Sequence, residues 1–365
     1  AAAIVGTNIG GWQVLEPWIT PSLFYRFLGN TQNEGIGIDQ YTFCEQLGPE
    51  WGNQVLRDHW DNWVRESDIK GLADRGVEIV RLPIGDWTLK PYGPYVGCTD
   101  GAADKVQWLL DTAEKYNIKV LLDVHALKGS QNGFDNSGQA LNFEWIDDNN
   151  FHHWEIQAAN WIGDWNNWTW SYDNINQDNI DWAYDNVDKI LDRWGSHPAL
   201  YAIEPVNEPW WNTPRDTLVK FYQDVRALIQ EKAPEVTFVF HNAFDYSTSW
   251  NSMFADDDHD KVVMDHHFYQ AWGADKGTAQ AYCDDYNYGL SAANDIKYDV
   301  WIGEWSLALD TCAMWLGGFN DNNSDLVNEC EMVDCPFTYM PEATGTDFDR
   351  TVAELGPFGS NKRSI

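Results

Sequence analysis

Basic residues are scarce in this sequence: 23 Lys and Arg stand against 57 Asp and Glu, a formal net charge of -34. A chain this acidic does not neutralise phosphates, which excludes nucleic acid as a partner and disfavours an anionic membrane surface. It suits a protein that works on neutral substrates. Long apolar runs are also missing. None approaches the roughly 18–20 residues of a membrane span, so no membrane insertion is expected. No G-x-G-x-x-G follows the first strand-like run, which removes the main signal for a dinucleotide-binding sheet. No two of the cysteines form a Cys-x-x-Cys pair, so zinc is not expected. No other metal and no cofactor is implied. Internal repeats and linkers are lacking, and residues 1–365 read as one domain, a length that α/β barrels routinely reach.

Tryptophan is abundant. Twenty-two indoles in 365 residues exceed what a core needs. Flat aromatic faces are surfaces on which sugar rings stack. Six cysteines (Cys44, Cys98, Cys283, Cys312, Cys330, Cys335) are an even number and allow fifteen pairings, all left open. The chain opens on Ala1-Ala2-Ala3 without an initiator Met, like a mature end after signal-peptide removal. Asn167-Trp168-Thr169 and Asn322-Asn323-Ser324 are glycosylation sequons. Together these features predict a secreted protein of the extracellular space or cell wall, or a vacuolar one.

Short apolar runs alternate with helical patterns. Strands are predicted at Ile4 to Ile9, Val77 to Ile84, Ile118 to Val124, Leu200 to Ile203, Val236 to Phe240, Val262 to Met264 and Val300 to Ile302. Helices are predicted at Arg57 to Arg75, around Val106 to Ala113, and at Ile180 to Trp194, Leu218 to Lys232, Thr278 to Ile296 and Asp347 to Leu355. Strands that are apolar almost throughout are those covered on both faces, as in a parallel sheet. Arg81, His125, Asn207, Glu208, His267 and Glu304 come from five different strands. A closed parallel barrel brings such residues to one mouth, whereas a doubly wound sheet spreads them along an edge.

Two carboxyls carry the chemistry. Glu208 follows the strand in Ala202-Ile203-Glu204-Pro205-Val206-Asn207-Glu208-Pro209, and Glu304 ends the strand in Trp301-Ile302-Gly303-Glu304-Trp305-Ser306. Two carboxyls on two strand ends are the equipment of glycoside hydrolysis. One must be ionised while the other holds a proton, a division set by environment. Arg81 would favour the ionised form of a nearby carboxyl.

The segments GTNIGGWQVLEPWITPSLF, VRLPIG, LLDVHALKGSQNGFDNSG, IEPVNEP, DHHFYQ and IGEWS together resemble family 5 glycoside hydrolases, in particular the eukaryotic exo-β-1,3-glucanase branch. The resemblance runs from about Ile4 to Asp310. It implies a (β/α)8 TIM barrel and release of glucose, with retention, from the non-reducing end of β-1,3-glucan. It matches Glu208 to the acid/base, Glu304 to the nucleophile and Asn207 to the group that binds the sugar 2-hydroxyl. Arg81 and Tyr269 match residues that hold the nucleophile, and His125 and His267 the site histidines. Glu16, Asp135 and Asn136 match the closed end of the sugar pocket. Phe134 and Trp272 match an aromatic clamp on the next sugar, where the branch often has Phe at the second position.

One departure concerns the end of the barrel. No apolar strand and no closing Trp follow Glu304, so the eighth strand is not evident. The expectation is a further C-terminal segment of the same protein, beyond Ile365, completing the barrel between the Ile4 and Val300 strands. Three readings follow: an exo-β-1,3-glucanase, the same scaffold on another β-glucoside or as a transglycosylase, and a non-catalytic glucan-binding or wall protein. The acidic run Asp256-Asp257-Asp258 is expected to be a solvated loop.

Overall fold

The computed structural model describes residues 4–308, except 28–34, 142, 146–150, 154–158, 167, 246–247, 256–258 and 274. Seven parallel strands lie in sequence order: β1 (Gly6–Asn8), β2 (Ile79–Gly85), β3 (Lys119–Ala126), β4 (Leu200–Glu204), β5 (Thr237–His241), β6 (Val262–Phe268) and β7 (Asp299–Trp305). They form a nearly closed barrel with helices on the outside. Asn8 Nδ2 on β1 donates to Gly303 O on β7 at 2.7 Å, so a side chain spans the remaining opening.

The barrel interior is built in layers by the period of two along each strand. Ile79, Leu121, Ala202, Val239 and Val263, one from each of β2 to β6, form a separate buried cluster with Tyr201 and Trp301 packed on it. Two residues further along the same strands stand Arg81, Asp123, Glu204, His241 and Asp265, all buried. The matching position on β7 is Gly303. An apolar floor thus carries an ionic layer, and the site lies above that layer. The outer faces of the strands meet the helices through the main core, which includes Val80, Leu82, Val120, Leu122, Ile203, Phe238 and Phe240.

Several boundaries differ from expectation. The single helix expected at Arg57 to Arg75 is divided between Gln40–Trp63, itself broken by a kink at Gly48, and Glu66–Ala73. Val64 and Arg65 are extended, and Asp68 accepts from Arg65 N, restarting the chain as a new helix. The first element opens on a reciprocal cap of Asp39 and Thr42, breaks at Gly48 (φ 70°), and resumes at Pro49 in the helical segment that carries Arg57. Strands β6 and β7 run longer than their apolar cores, since their polar ends line the site.

The long segment expected as loop between His125 and Asp178 holds two small hairpins, Phe143–Trp145 with Phe151–His153 and Trp165–Asn166 with Ser171–Tyr172. Trp168, in the second turn, is 96% exposed. Of the open cysteine pairings, Cys44–Cys98 forms, with Cα atoms 5.8 Å apart. Cys283 is exposed. Cys312, Cys330, Cys335, Asn167, the Asn322 sequon, Asp256-Asp257-Asp258 and the Asp347 to Leu355 helix lie outside the described residues. The eighth strand is not among the described strands. No described helix is long and apolar enough to cross a membrane.

Candidate active site

Arg81 is the hub of the ionic layer. From β2 its guanidinium reaches Glu304 Oε1 at 2.8 Å, Glu204 Oε2 at 3.1 Å, Asp123 Oδ2 at 3.1 Å and Asn207 Oδ1 at 2.7 Å. A planar group with five donors is the only side chain that serves so many acceptors on separate strands. Burial opposes its charge, but Asp123, Glu204, Glu304 and Asp265 outweigh that cost and keep it cationic.

Glu304 sits at the end of β7. Its Oε1 accepts from Arg81, and its Oε2 accepts from the Tyr269 hydroxyl at 2.9 Å. Burial alone would favour its neutral form. His267, Arg81 and His125, with the Tyr269 hydrogen bond, reverse that and hold the carboxyl down at about 2. Glu304 is therefore ionised in any ordinary medium.

Glu208 lies beyond β4 in a left-handed conformation, φ 44°, which is costly for a residue with a side chain and recurs at functional sites. The turn is pinned from both sides. Asn207 N donates to Val124 O at 3.1 Å, and Gln131 Nε2 donates to Asn207 O at 2.9 Å and to His125 O at 2.7 Å. Glu208 Oε1 accepts from His267 Nδ1 at 2.6 Å, and Oε2 accepts from Asn136 Nδ2 at 3.0 Å. The same His267 nitrogen is 3.6 Å from Glu304 Oε2. The sum of these two distances bounds the separation of the facing oxygens.

His125 Nδ1 donates to Asp123 Oδ2 at 2.6 Å, and its Nε2 lies 3.9 Å from Glu16 Oε1. Trp18 Nε1 donates to the other Glu16 oxygen at 3.0 Å. Burial pushes the Glu16 carboxyl up to about 7, with His125 working against it and the negative charge of Glu304 adding to it. Burial, then Glu16 and Asp39, push Asp135 up to about 8. Phe134 meets Trp210 edge to face, with ring centroids 5.0 Å apart. Trp272 is 53% exposed and sets its ring against Tyr269 at 5.3 Å.

All twelve site residues expected from sequence are thus among those described. Glu208, Glu304, Arg81, Asn207, His125, His267, Tyr269, Asn136 and Glu16 belong to one connected network of short contacts. Asn136 bonds the Glu208 carboxyl directly, a contact that pocket lining alone does not describe. Phe134 and Trp272 stand at its rim. Sequence reasoning missed Asp123, Glu204, Asp265, Gln131, Asn8 and Trp18. Counting two residues along each strand from the apolar layer would have found the first three. Two groups, Glu208-His241-His267 and Glu204-Asp265-His267, have potential ligand atoms within 4.8 Å of one another. In the second group, Arg81 already supplies positive charge to both carboxylates.

Two facing carboxyls at strand ends, one held ionised, on a parallel barrel define a glycoside hydrolase. The family model "Cellulase (glycosyl hydrolase family 5)" matches residues 32–334, and the chain belongs to that family. Relatives named glucan 1,3-beta-glucosidase agree. One from Schwanniomyces occidentalis is 34% identical over 327 residues, covering 87% of this chain and 69% of the relative. One from Lachancea kluyveri is 33% identical over 383 residues, covering 97% and 79%. Among solved structures, the rutinosidase from Aspergillus niger shares the fold, with a TM-score of 0.61 and 21% identity over 82% of this chain and 79% of that one.

Proposed function

We propose that this enzyme releases glucose, with retention of configuration, from the non-reducing end of β-1,3-glucan. The observation that carries the mechanism is the placing of Glu208 and Glu304 on one imidazole nitrogen, at 2.6 and 3.6 Å. Facing oxygens held this close suit the roughly 5–5.5 Å carboxyl separation of retaining enzymes. Glu304 attacks the anomeric carbon as the glycosidic C–O bond breaks. Glu208 gives its proton to the departing oxygen. Water then gives a proton back to Glu208 and its oxygen to the sugar, freeing Glu304. Asn207, bonded to Arg81 and 3.5 Å from His125 Nε2, is held where it can bond a sugar 2-hydroxyl.

Exo action is supported by Glu16 and Asp135, whose raised carboxyls hold their protons in mildly acidic medium, would end the pocket, and could both donate to and accept from sugar hydroxyls. The linkage is supported by the names of the relatives. The Cys44–Cys98 bond supports work outside the reducing cytosol. The test is digestion of laminarin followed by proton NMR. β-Glucose as the first product, with no longer oligosaccharide, is the expected result. Early α-glucose refutes retention, early oligosaccharides refute exo action, and glucose only from another β-glucoside refutes the linkage.

A further inference from the structure

The pairing of β6 with β7 has an irregularity beside the nucleophile. Asp265 pairs with Trp301 and His266 with Ile302, but His267 pairs with Glu304, so Gly303 is skipped. Such a bulge bends a strand and re-aims the next side chain. Here it sets Glu304 beside His267. It also removes the Gly303 amide from the regular ladder, and a buried amide without a partner is costly. Asp265 Oδ1 takes that amide at 2.6 Å. On the other side of the same residue, Gly303 O accepts from Asn8 Nδ2 at 2.7 Å. Gly303, the residue before Glu304, is therefore clamped from two strands, one at its amide and one at its carbonyl.

Gly303 itself is required by this arrangement. It occupies the inward position of β7 in the ionic layer, and a Cβ there would overlap the Asp265 carboxylate. The second oxygen of Asp265 faces His267 Nε2 at 3.3 Å and Arg81 Nε at 4.0 Å. Neither Asp265 Oδ2 nor His267 Nε2 has a well-aligned hydrogen bond elsewhere, so this ion pair is the main polar contact of each. The opposite ring nitrogen of His267 is the one that touches Glu208 and Glu304.

We propose that Asp265 is a positioning residue for both carboxyls: it anchors the Gly303 amide beside Glu304, and it backs the His267 ring that lies between Glu304 and Glu208. This rests on the reading of Glu304 as nucleophile and Glu208 as acid. One buried side chain then ties the aim of the nucleophile to the charge of the histidine that serves the acid. The charged and titratable groups around the pair are Arg81 from β2, Asp123 and His125 from β3, and Glu204 and Glu208 from β4 and its loop. The others are His241 from β5, His266 and Tyr269 on or after β6, Glu304 on β7, and Glu16 from the first loop. His267 is held protonated against burial by Glu304, Asp265 and Glu208.

The test uses Asp265→Asn and Gly303→Ala in the full chain. An Asn at 265 can still accept from Gly303 N, but its amide nitrogen would face His267 Nε2 and favour the neutral ring. Glu304 then loses one of the two cations within 4 Å of it, keeping only Arg81. Its carboxyl rises, and the acidic limb of kcat/KM on an aryl β-glucoside moves to higher pH by about one unit or more. The lost charge of Asp265 acts the other way but more weakly, because it stands behind the ring. Selective nitrogen-15 labelling of histidine should show the His267 imidazolium signal of the native enzyme replaced by a neutral one at pH 7. An unmoved limb with an unchanged imidazolium signal overturns the proposal, whatever the loss of rate.

Gly303→Ala keeps the Asp265 charge but displaces the carboxylate. It should lower kcat at least about tenfold with KM little changed, the mark of an interaction made in the transition state. Native kcat in a folded Gly303→Ala enzyme overturns the anchoring half, also where Asp265→Asn does not fold. Glu304→Gln is assayed alongside. If it stays active, the assignment of the nucleophile has failed, while the histidine signal still reports on Asp265.

Discussion

Replacing Arg81 by Lys keeps the charge and removes the fork. The guanidinium now bonds Glu304, Glu204 and Asn207 and pairs with Asp123, all within 3.1 Å at closest approach. An ammonium on a shorter, single-headed stem cannot lie against acceptors on three strands at once. At least two charge-assisted bonds are lost at about 1.5–3 kcal/mol each, so the cost is about 3–6 kcal/mol. That is a large part of a typical stability of about 5–15 kcal/mol. The melting temperature should fall by roughly 5–15 °C, at about 2–4 °C per kcal/mol or somewhat less in a chain this long. The kcat/KM should fall about a hundredfold or more, because Glu304 and Asn207 both lose their anchor. The acidic limb should stay close to its native place for Arg81→Lys and move up for Arg81→Met, since only the latter removes a charge that keeps Glu304 ionised. Differential scanning calorimetry and pH-rate profiles on an aryl glucoside measure these effects. A Lys variant that melts within about 1 °C of the native protein would refute the reading of Arg81 as the hub, as this is the scatter of ordinary surface changes.

Glu304→Gln should abolish turnover on every substrate, read by glucose release. Glu208→Ala should cost far more on laminarin than on aryl glucosides with good leaving groups, which need little protonation; equal losses would show that Glu208 is not the acid. Phe134→Ala and Trp272→Ala should raise KM for laminarin more than for an aryl glucoside, and equal shifts would remove the clamp. Glu16 and Asp135 titrate near 7 and 8 in the folded chain, above their ordinary values. Their raised affinity for protons favours the folded state at low pH and is lost as pH rises through those values. Denaturant titrations should show stability falling between about pH 5 and 8, and less steeply in Glu16→Gln; a parallel slope in the variant would contradict the buried, proton-holding state.

Legibility followed chemistry near the strand ends and failed inside the strands. Glu208 and Glu304 stood out because each follows a short apolar run, and Asn207-Glu208-Pro209 marks a turn. Arg81, His125 and His267 stood out as polar groups in apolar surroundings. Asp123, Glu204 and Asp265 have the same setting but were passed over, since an acidic residue at a strand end is an ordinary surface feature. Their meaning comes only from the barrel, which turns every second residue toward one axis and packs three carboxylates around one guanidinium. The helix break at Val64 and Arg65 was hidden because the apolar stripe of Trp60, Trp63 and Val64 runs into that of Ile69. Gln131 was invisible for another reason. It bonds two backbone carbonyls from different strand ends, and such contacts leave no periodic trace. The Cys44–Cys98 pairing depends on the approach of the Gln40–Trp63 helix to the turn after β2, which spacing does not encode.

The net charge of the chain and the ionisation of its nucleophile pull in opposite directions. A strongly acidic protein raises the cost of each further negative charge, and a buried site raises it again. Glu304 escapes by position. It is close to Arg81, His267 and, through the field, His125, the cations of the site. Glu16 and Asp135 have no such pair of contacting cations, and Glu204 has Arg81 in a fully buried setting. Glu204 shares Arg81 and is pushed well up by burial, and Glu16 and Asp135 rise to about 7 and about 8. Two of the site's cations therefore meet at Glu304, while burial leaves Glu16 and Asp135 to be neutralised by protons. That partition suits a neutral sugar. Protonated carboxyls in the pocket can donate as well as accept toward hydroxyls, while Glu304 stays charged, as the nucleophile role proposed for it requires. Asp265 holds this division in place, because the same side chain fixes the backbone beside Glu304 and faces the histidine that keeps it ionised.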